Sequence, residues 1–205
     1  MRHRSVRKRG MERLNKKQRI DLIREMEKEL GYGRFIHSLG VADIAAGLAM
    51  RYGIDQDRAF LAGILHDCAK CMSLSKMRKV CEKAGMELSS FERESTALLH
   101  SKAGCVLART RYGVTDEDLL NAIAYHTTGR PAMSLLEKII FTSDYIEPGR
   151  DTAPHLATIR RMAFENIDAC VLEILRDTLA YLETGNGEVD PMTKETFEYY
   201  ANIDS

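Results

Sequence analysis

Leu61-Ala62-Gly63-Ile64-Leu65-His66-Asp67-Cys68-Ala69-Lys70 is an apolar run that ends in an imidazole beside a carboxylate. Burying those two groups is costly unless something pairs with them. A divalent cation is the simplest partner, because neutral imidazole nitrogen and carboxylate oxygen both serve zinc, manganese and iron. Two ligands do not hold a metal, so the reading requires further His and Asp residues delivered to the same place by other helices.

The chain supplies them at apolar, helix-periodic segments. Phe35, Ile36, Leu39, Ile44, Leu48 and Ala49 describe a helix that carries His37 in its first turns and stops at Gly53. The organising helix is expected from about Arg58 to Ala69, which would set Lys70 on nearly the same face as Asp67. Ala97-Leu98-Leu99 leads to His100. Asp116 opens a helix that delivers His126, and the capping box Ser134 to Glu137 opens one that carries Asp144. Four of the 6 His and two Asp thus arise from five predicted helices. These six candidate ligands exceed the needs of one tetrahedral site and fit two cations bridged by one carboxylate.

Outside this set the chain reads as packing material. A first helix is expected over about Glu12 to Leu30, and a short one from Ser73 or Ser75 to Gly85. Glu87 to Ser95 reads as a polar connection. Two helices follow over Leu156 to Leu182, then a turn at Gly185-Asn186-Gly187 and a last helix from Asp190-Pro191. No ligand cluster is expected in this last third, and His155 is placed in a surface loop. The fold class is therefore all-α, a bundle of roughly eight to ten helices.

Composition agrees with one domain: 205 residues, 44% hydrophobic and 29% charged, with 4 Pro and 14 Gly spread along the length. No apolar run approaches the roughly 18 residues that span a bilayer. Five scattered Cys argue against a disulfide framework, so a cytoplasmic setting is expected. Cys68 and Cys71 form a lone C-x-x-C, and without a second pair they read as two thiols rather than a zinc site. Net charge is zero, yet residues 1–19 hold nine Lys/Arg and one acid, a net +8. Residues 1–14 are accordingly read as a basic, disordered arm on a single domain spanning 15–205, and nucleic acid is not the expected partner.

The order H, H-D, H, H, D resembles that of the HD-domain metal phosphohydrolases, an all-α superfamily. Four stretches sharpen the resemblance: Arg34-Phe35-Ile36-His37-Ser38-Leu39-Gly40-Val41, Ala62 to Lys70, Tyr125-His126-Thr127-Thr128-Gly129, and Asp144-Tyr145-Ile146-Glu147-Pro148-Gly149-Arg150. Together they look like the YqeK-type symmetrical diadenosine tetraphosphate hydrolases of bacteria, from about Ile20 to the C-terminus. The resemblance implies cleavage of the nucleotide into two ADP at a dinuclear centre, iron first, with manganese, zinc and nickel as alternatives. It implies that His37, His66, Asp67 and Asp144 hold one metal, and that Asp67, His100 and His126 hold the other.

The chemistry of the remaining residues suits that expectation. Lys70 would stabilise charge on the phosphate chain or leaving group, and Asp67 would bridge the cations that activate water. Thr127, Thr128, Gly129 and Arg130 would bind phosphate oxygens, since small residues bare the backbone N–H groups and Arg forks onto phosphate. Arg150 would close over them. Two other classes stay open at this point: an HD phosphohydrolase of another nucleotide, such as a nucleoside monophosphate or guanosine alarmone, and a non-catalytic nucleotide sensor. A homodimer is the alternative to a monomer.

Overall fold

The computed structural model describes residues 14–184 and 189–203, and the described residues contain eleven helices and no strand. They are α1 (Lys16–Glu29), α2 (Tyr32–Tyr52), α3 (Gln56–Leu65), α4 (Leu74–Lys83), α5 (Ser90–Glu94), α6 (Thr96–Thr110), α7 (Glu117–Ala124), α8 (Leu135–Ile146), α9 (Leu156–Glu165), α10 (Ile167–Glu183) and α11 (Pro191–Ile203). The basic arm and the Gly185-Asn186-Gly187 turn lie outside the described residues, apart from Leu14. The eleventh helix is α5, inside the stretch read as a polar connection. It is one turn long and is closed by a capping box between Ser89 and Glu92, with no buried residue to signal it. The first helix starts later than expected, at Lys16, because Asn15 and Gln18 form a reciprocal cap.

α2 is the spine, and it packs against α3 and α8. Its inner face is small: Ala42, Ala45 and Ala49 are fully buried. On α3 the facing residue is Gly63, and a Cβ built there would stand 2.7 Å from the Ala42 Cα and 3.0 Å from its N. The two backbones can approach this closely only because both contact positions are small. α7 and α8 close the other side of α3, while α10 packs on α8, α9 and α11. One apolar core runs through all of this, from Leu14 and Leu22 to Leu175 and Tyr200.

The organising helix ends four residues sooner than the sequence suggests. α3 stops at Leu65, and His66 to Met72 descend in turns held by Cys68 N–H to Leu65 O (3.0 Å), Lys70 N–H to Asp67 O (2.9 Å) and Met72 N–H to Ala69 O (2.9 Å). These i to i+3 bonds tighten the chain, which changes the directions in which His66 and Asp67 point. The turn is pinned from behind by Ala69, which is buried with Met77 and Cys81 of α4 and Leu99 and Ala103 of α6. Gly104 of α6 packs directly beneath it, with its Cβ position 3.2 Å from His66 O. α7 likewise stops at Ala124, so His126 sits in the turn beyond it. No helix among the described residues is long and apolar enough to cross a membrane.

Candidate metal centre

All six candidate ligands meet. His37 comes from the first turns of α2, His66 and Asp67 from the turn after α3, His100 from the start of α6, His126 from the turn after α7, and Asp144 from the last turn of α8. His66, Asp67, His100 and His126 are buried, and His37 and Asp144 are partly so. Three triads within the set, His37/His66/Asp67, His66/His126/Asp144 and Asp67/His100/His126, each bring their ligand atoms within 4.8 Å of one another.

Asp67 divides the cluster. Its Oδ2 faces the Nε2 atoms of His37 (3.7 Å) and His66 (3.6 Å), whereas its Oδ1 faces those of His100 (3.0 Å) and His126 (3.7 Å). Asp144 Oδ1 joins the first side, 3.1 Å from His37 Nε2 and 3.9 Å from His66 Nε2. Asp67 Oδ1 is buried and has no donor in hydrogen-bonding geometry, although His100 Nε2 is so near. A buried carboxylate oxygen in that state is what a coordinated cation would satisfy.

The tautomers are set from outside the cluster. His66 Nδ1 donates to Gly63 O (2.6 Å), His100 Nδ1 to Thr96 O (3.1 Å) and His126 Nδ1 to Ile123 O (2.8 Å). A carbonyl can only accept, so each Nδ1 carries the proton and each Nε2 presents a lone pair inward. His37 Nδ1 does the same toward Glu147 Oε1 at 3.2 Å, and Glu147 is itself fixed by Gly149 N–H at 2.6 Å.

Electrostatics keep the ligands in binding form. Burial pushes His126 down to about 3, helped by His66 and His100, and burial also lowers His66. Burial works against the charged forms of Asp67 and Asp144, yet the surrounding imidazoles hold both carboxyls well below their ordinary range. Neutral imidazoles and ionised carboxylates are the forms that a metal requires. His37 moves the other way: burial opposes its charged form, but Asp144, Glu147 and Asp67 raise it.

The expected phosphate-binding residues separate into two groups. Lys70 Nζ lies 3.8 Å from Asp67 Oδ1 and 3.1 Å from His100 Nε2, and burial lowers its pKa. Arg150 reaches Asp144 Oδ1 at 3.3 Å, and with Thr127, Tyr145 and Thr178 it lines a cavity of about 130 Å³ against His126 and Asp144. Thr127 Oγ1 is buried there without a partner.

Thr128, Gly129 and Arg130 make other contacts in this structure. Arg130 forks onto buried Glu137 (2.6 and 3.0 Å) and lies over the Tyr125 ring. Thr128 lines a separate cavity of about 240 Å³ with Lys102, Tyr125 and Asp190. Gly129 takes φ +63°, and a Cβ there would meet Thr196 Cγ2 at 2.8 Å, so it is a turn and packing residue.

Two residues of the site escaped the sequence reading. Arg34 Nη1 donates to Asp67 Oδ2 at 2.7 Å, and Glu147 holds His37. The available signals were Arg34 three residues ahead of His37 on one helix face, and an acid in the segment that follows Asp144. The last third also holds a group of exposed His155 with the less accessible Glu173 and Asp177, where no cluster was expected. His155 is the N-cap of α9 at φ 51°, and its Nδ1 lies 3.3 Å from Asp177 Oδ1. The C-x-x-C makes no site: Cys68 is buried with its Sγ on Gly104 O, and Cys71 is exposed.

A helical bundle that gathers these ligands around one His-Asp pair is the arrangement of an HD domain, and residues 34–149 match that family. Two symmetrical bis(5'-nucleosyl)-tetraphosphatases are similar over most of their length. The protein of Bacillus subtilis is 35% identical over 85% of this chain and 92% of its own, and that of Halalkalibacterium halodurans is 41% identical over 80% and 87%. A crystal structure from Clostridium acetobutylicum, described as a predicted HD superfamily hydrolase involved in NAD metabolism, superposes with a TM-score of 0.86. It is 39% identical and covers 90% of this chain and 97% of that one. The chain belongs to the HD-domain family, in the branch of the symmetrical bis(5'-nucleosyl)-tetraphosphatases.

Proposed function

We propose that this protein hydrolyses diadenosine tetraphosphate symmetrically, breaking the central phosphoanhydride bond with water to release two ADP. His37, His66, Asp67 and Asp144 are assigned to one divalent cation, and Asp67, His100 and His126 to a second, with iron the first expectation for both. The observation that carries this is the division of Asp67: one oxygen toward each pair of imidazoles, with Oδ1 buried and otherwise unsatisfied. Cations held there would supply Lewis-acid charge for phosphoryl oxygens and acidify a water.

The protein's own groups do the rest. The four Nδ1 bonds fix the rings before any ligand arrives, so little reorganisation is needed at the reacting centre. Lys70, beside Asp67 and His100, places a positive charge where the bridging oxygen of the broken anhydride becomes a phosphate oxygen. Thr127 and Arg150 face the same space from the His126 and Asp144 side and would hold the neighbouring phosphate. Four free buried thiols and the symmetrical tetraphosphatase relatives favour a cytoplasmic enzyme of nucleotide metabolism.

Asp67→Asn, close in shape to the native side chain, tests the assignment. It should lose both metals, and turnover of diadenosine tetraphosphate should fall by at least about a thousandfold. A variant that retains two metals and turnover near wild type would refute the bridging role.

A further inference from the structure

Arg34 bonds the carboxylate at the middle of the cluster, and it is bonded unlike the arginines that serve the fold. Arg58 uses Nε and Nη2 on Asp116 and Nη2 again on Asp118. Arg130 forks onto Glu137 through Nε and Nη2. Arg160 ties down three carbonyls, of Ile146, Glu147 and Arg150. Arg34 makes one bond only, from Nη1 to Asp67 Oδ2 at 2.7 Å, and its side chain is 37% exposed while Asp67 is 2% exposed. One end of the fork is fixed on the Asp67 carboxylate, and the other N–H groups have no acceptor among the described residues.

Two other cationic side chains, Lys70 and Arg150, stand beside the carboxylates of the cluster. Arg34 and Arg150 each act electrostatically on Lys70, against the larger opposite effect of Asp67 and Asp144. The three cationic residues come from three separate segments: the first turn of α2, the turn after α3 and the segment after α8. Cationic side chains that converge from separate segments suit an anion with several charged oxygens. Arg34 lies on the His37 and His66 side of Asp67, whereas Lys70 lies on the His100 side, so together they bracket the cluster.

We propose that Arg34 is a substrate-binding residue of this site: with Nη1 fixed on Asp67, its remaining N–H groups grip the phosphate that adjoins the reacting phosphorus, opposite Lys70. The inference rests on the phosphoanhydride-hydrolase reading, but it concerns recognition of a polyphosphate rather than of adenosine.

The test uses metal-loaded full-length protein, wild type, Arg34→Gln and Arg34→Lys, with metal content and thermal midpoint measured first. Inorganic pyrophosphate is then titrated by calorimetry, and kcat and KM for diadenosine tetraphosphate are measured in parallel. Arg34→Gln is expected to keep its metals and to bind pyrophosphate about tenfold to a hundredfold more weakly. Arg34→Lys, which keeps the charge and loses the fork, should recover part of that binding. A merely structural ion pair would instead lower the midpoint or the metal content and leave the pyrophosphate affinity of the loaded protein unchanged. Affinities within twofold of one another, or no binding to any of the three, overturn the proposal. If wild type fails to cleave diadenosine tetraphosphate while Arg34→Gln still loses pyrophosphate, the substrate reading fails and the role of Arg34 stands.

Discussion

Replacing Gly63 with alanine puts a methyl group where α3 crosses α2. The built Cβ stands 2.7 Å from Ala42 Cα, 3.0 Å from Ala42 N and 3.2 Å from Val41 C, all backbone atoms. Carbon atoms in contact prefer about 3.5–4.0 Å, so the helices must part by about 1 Å. No flexible side chain can absorb that shift, which puts the cost near the upper end of overpacking, about 3 kcal/mol. Removing glycine from a helix interior returns up to ~1 kcal/mol. The net loss is about 2 kcal/mol, which for a domain of this size lowers the midpoint by roughly 4–8 °C. The same displacement moves His66 relative to His37, whose Nε2 atoms now stand 3.3 Å apart, so metal retention should weaken as well. Gly47→Ala is the control. It lies on the same α2, nothing stands within 4 Å of its Cβ position, and it should gain up to ~1 kcal/mol. Thermal unfolding followed by far-ultraviolet circular dichroism measures both. A Gly63→Ala protein as stable as wild type would refute the close crossing as the feature that sets the His37 to His66 distance.

Two further substitutions separate the site from its supports. Glu147→Gln keeps the volume but weakens the acceptor for His37 Nδ1, so metal affinity should fall about tenfold to a hundredfold with little change in midpoint; unchanged affinity in a chelator competition would remove Glu147 from the site. Arg130→Ala strips the partner from buried Glu137 and should cost about 3 kcal/mol of stability while kcat/KM of the folded protein stays within about twofold. A selective rise in KM would restore Arg130 to substrate binding.

The fold was legible where periodicity was long and the caps were chemical. Asp116, Ser134 with Glu137, and Asp190-Pro191 all mark helix starts in the structure. The convergence of the six candidate ligands was legible because each polar residue interrupts or ends an apolar segment, and burial of such a residue demands a partner. The end of α3 was not, because the apolar run continues through Ala69 while its backbone changes from helix to turns, and that change follows from packing on α4 and α6. The two fates of Thr127 and Arg130 were equally hidden. Both lie in one turn, and only the position of Glu137 on the next helix decides that the guanidinium is held away from the cluster. The role of Arg34 is hidden in the sequence, since its partner Asp67 is thirty-three residues away and meets it only through the α2 and α3 crossing.

The most direct test of the account is the metal content of protein purified without chelator, followed by anaerobic incubation with diadenosine tetraphosphate and chromatography of the products. Two metals per chain and ADP as the sole nucleotide product are expected. One metal or none in an active protein, or AMP and ATP as the products, would contradict a carboxylate-bridged centre cutting the tetraphosphate at its middle.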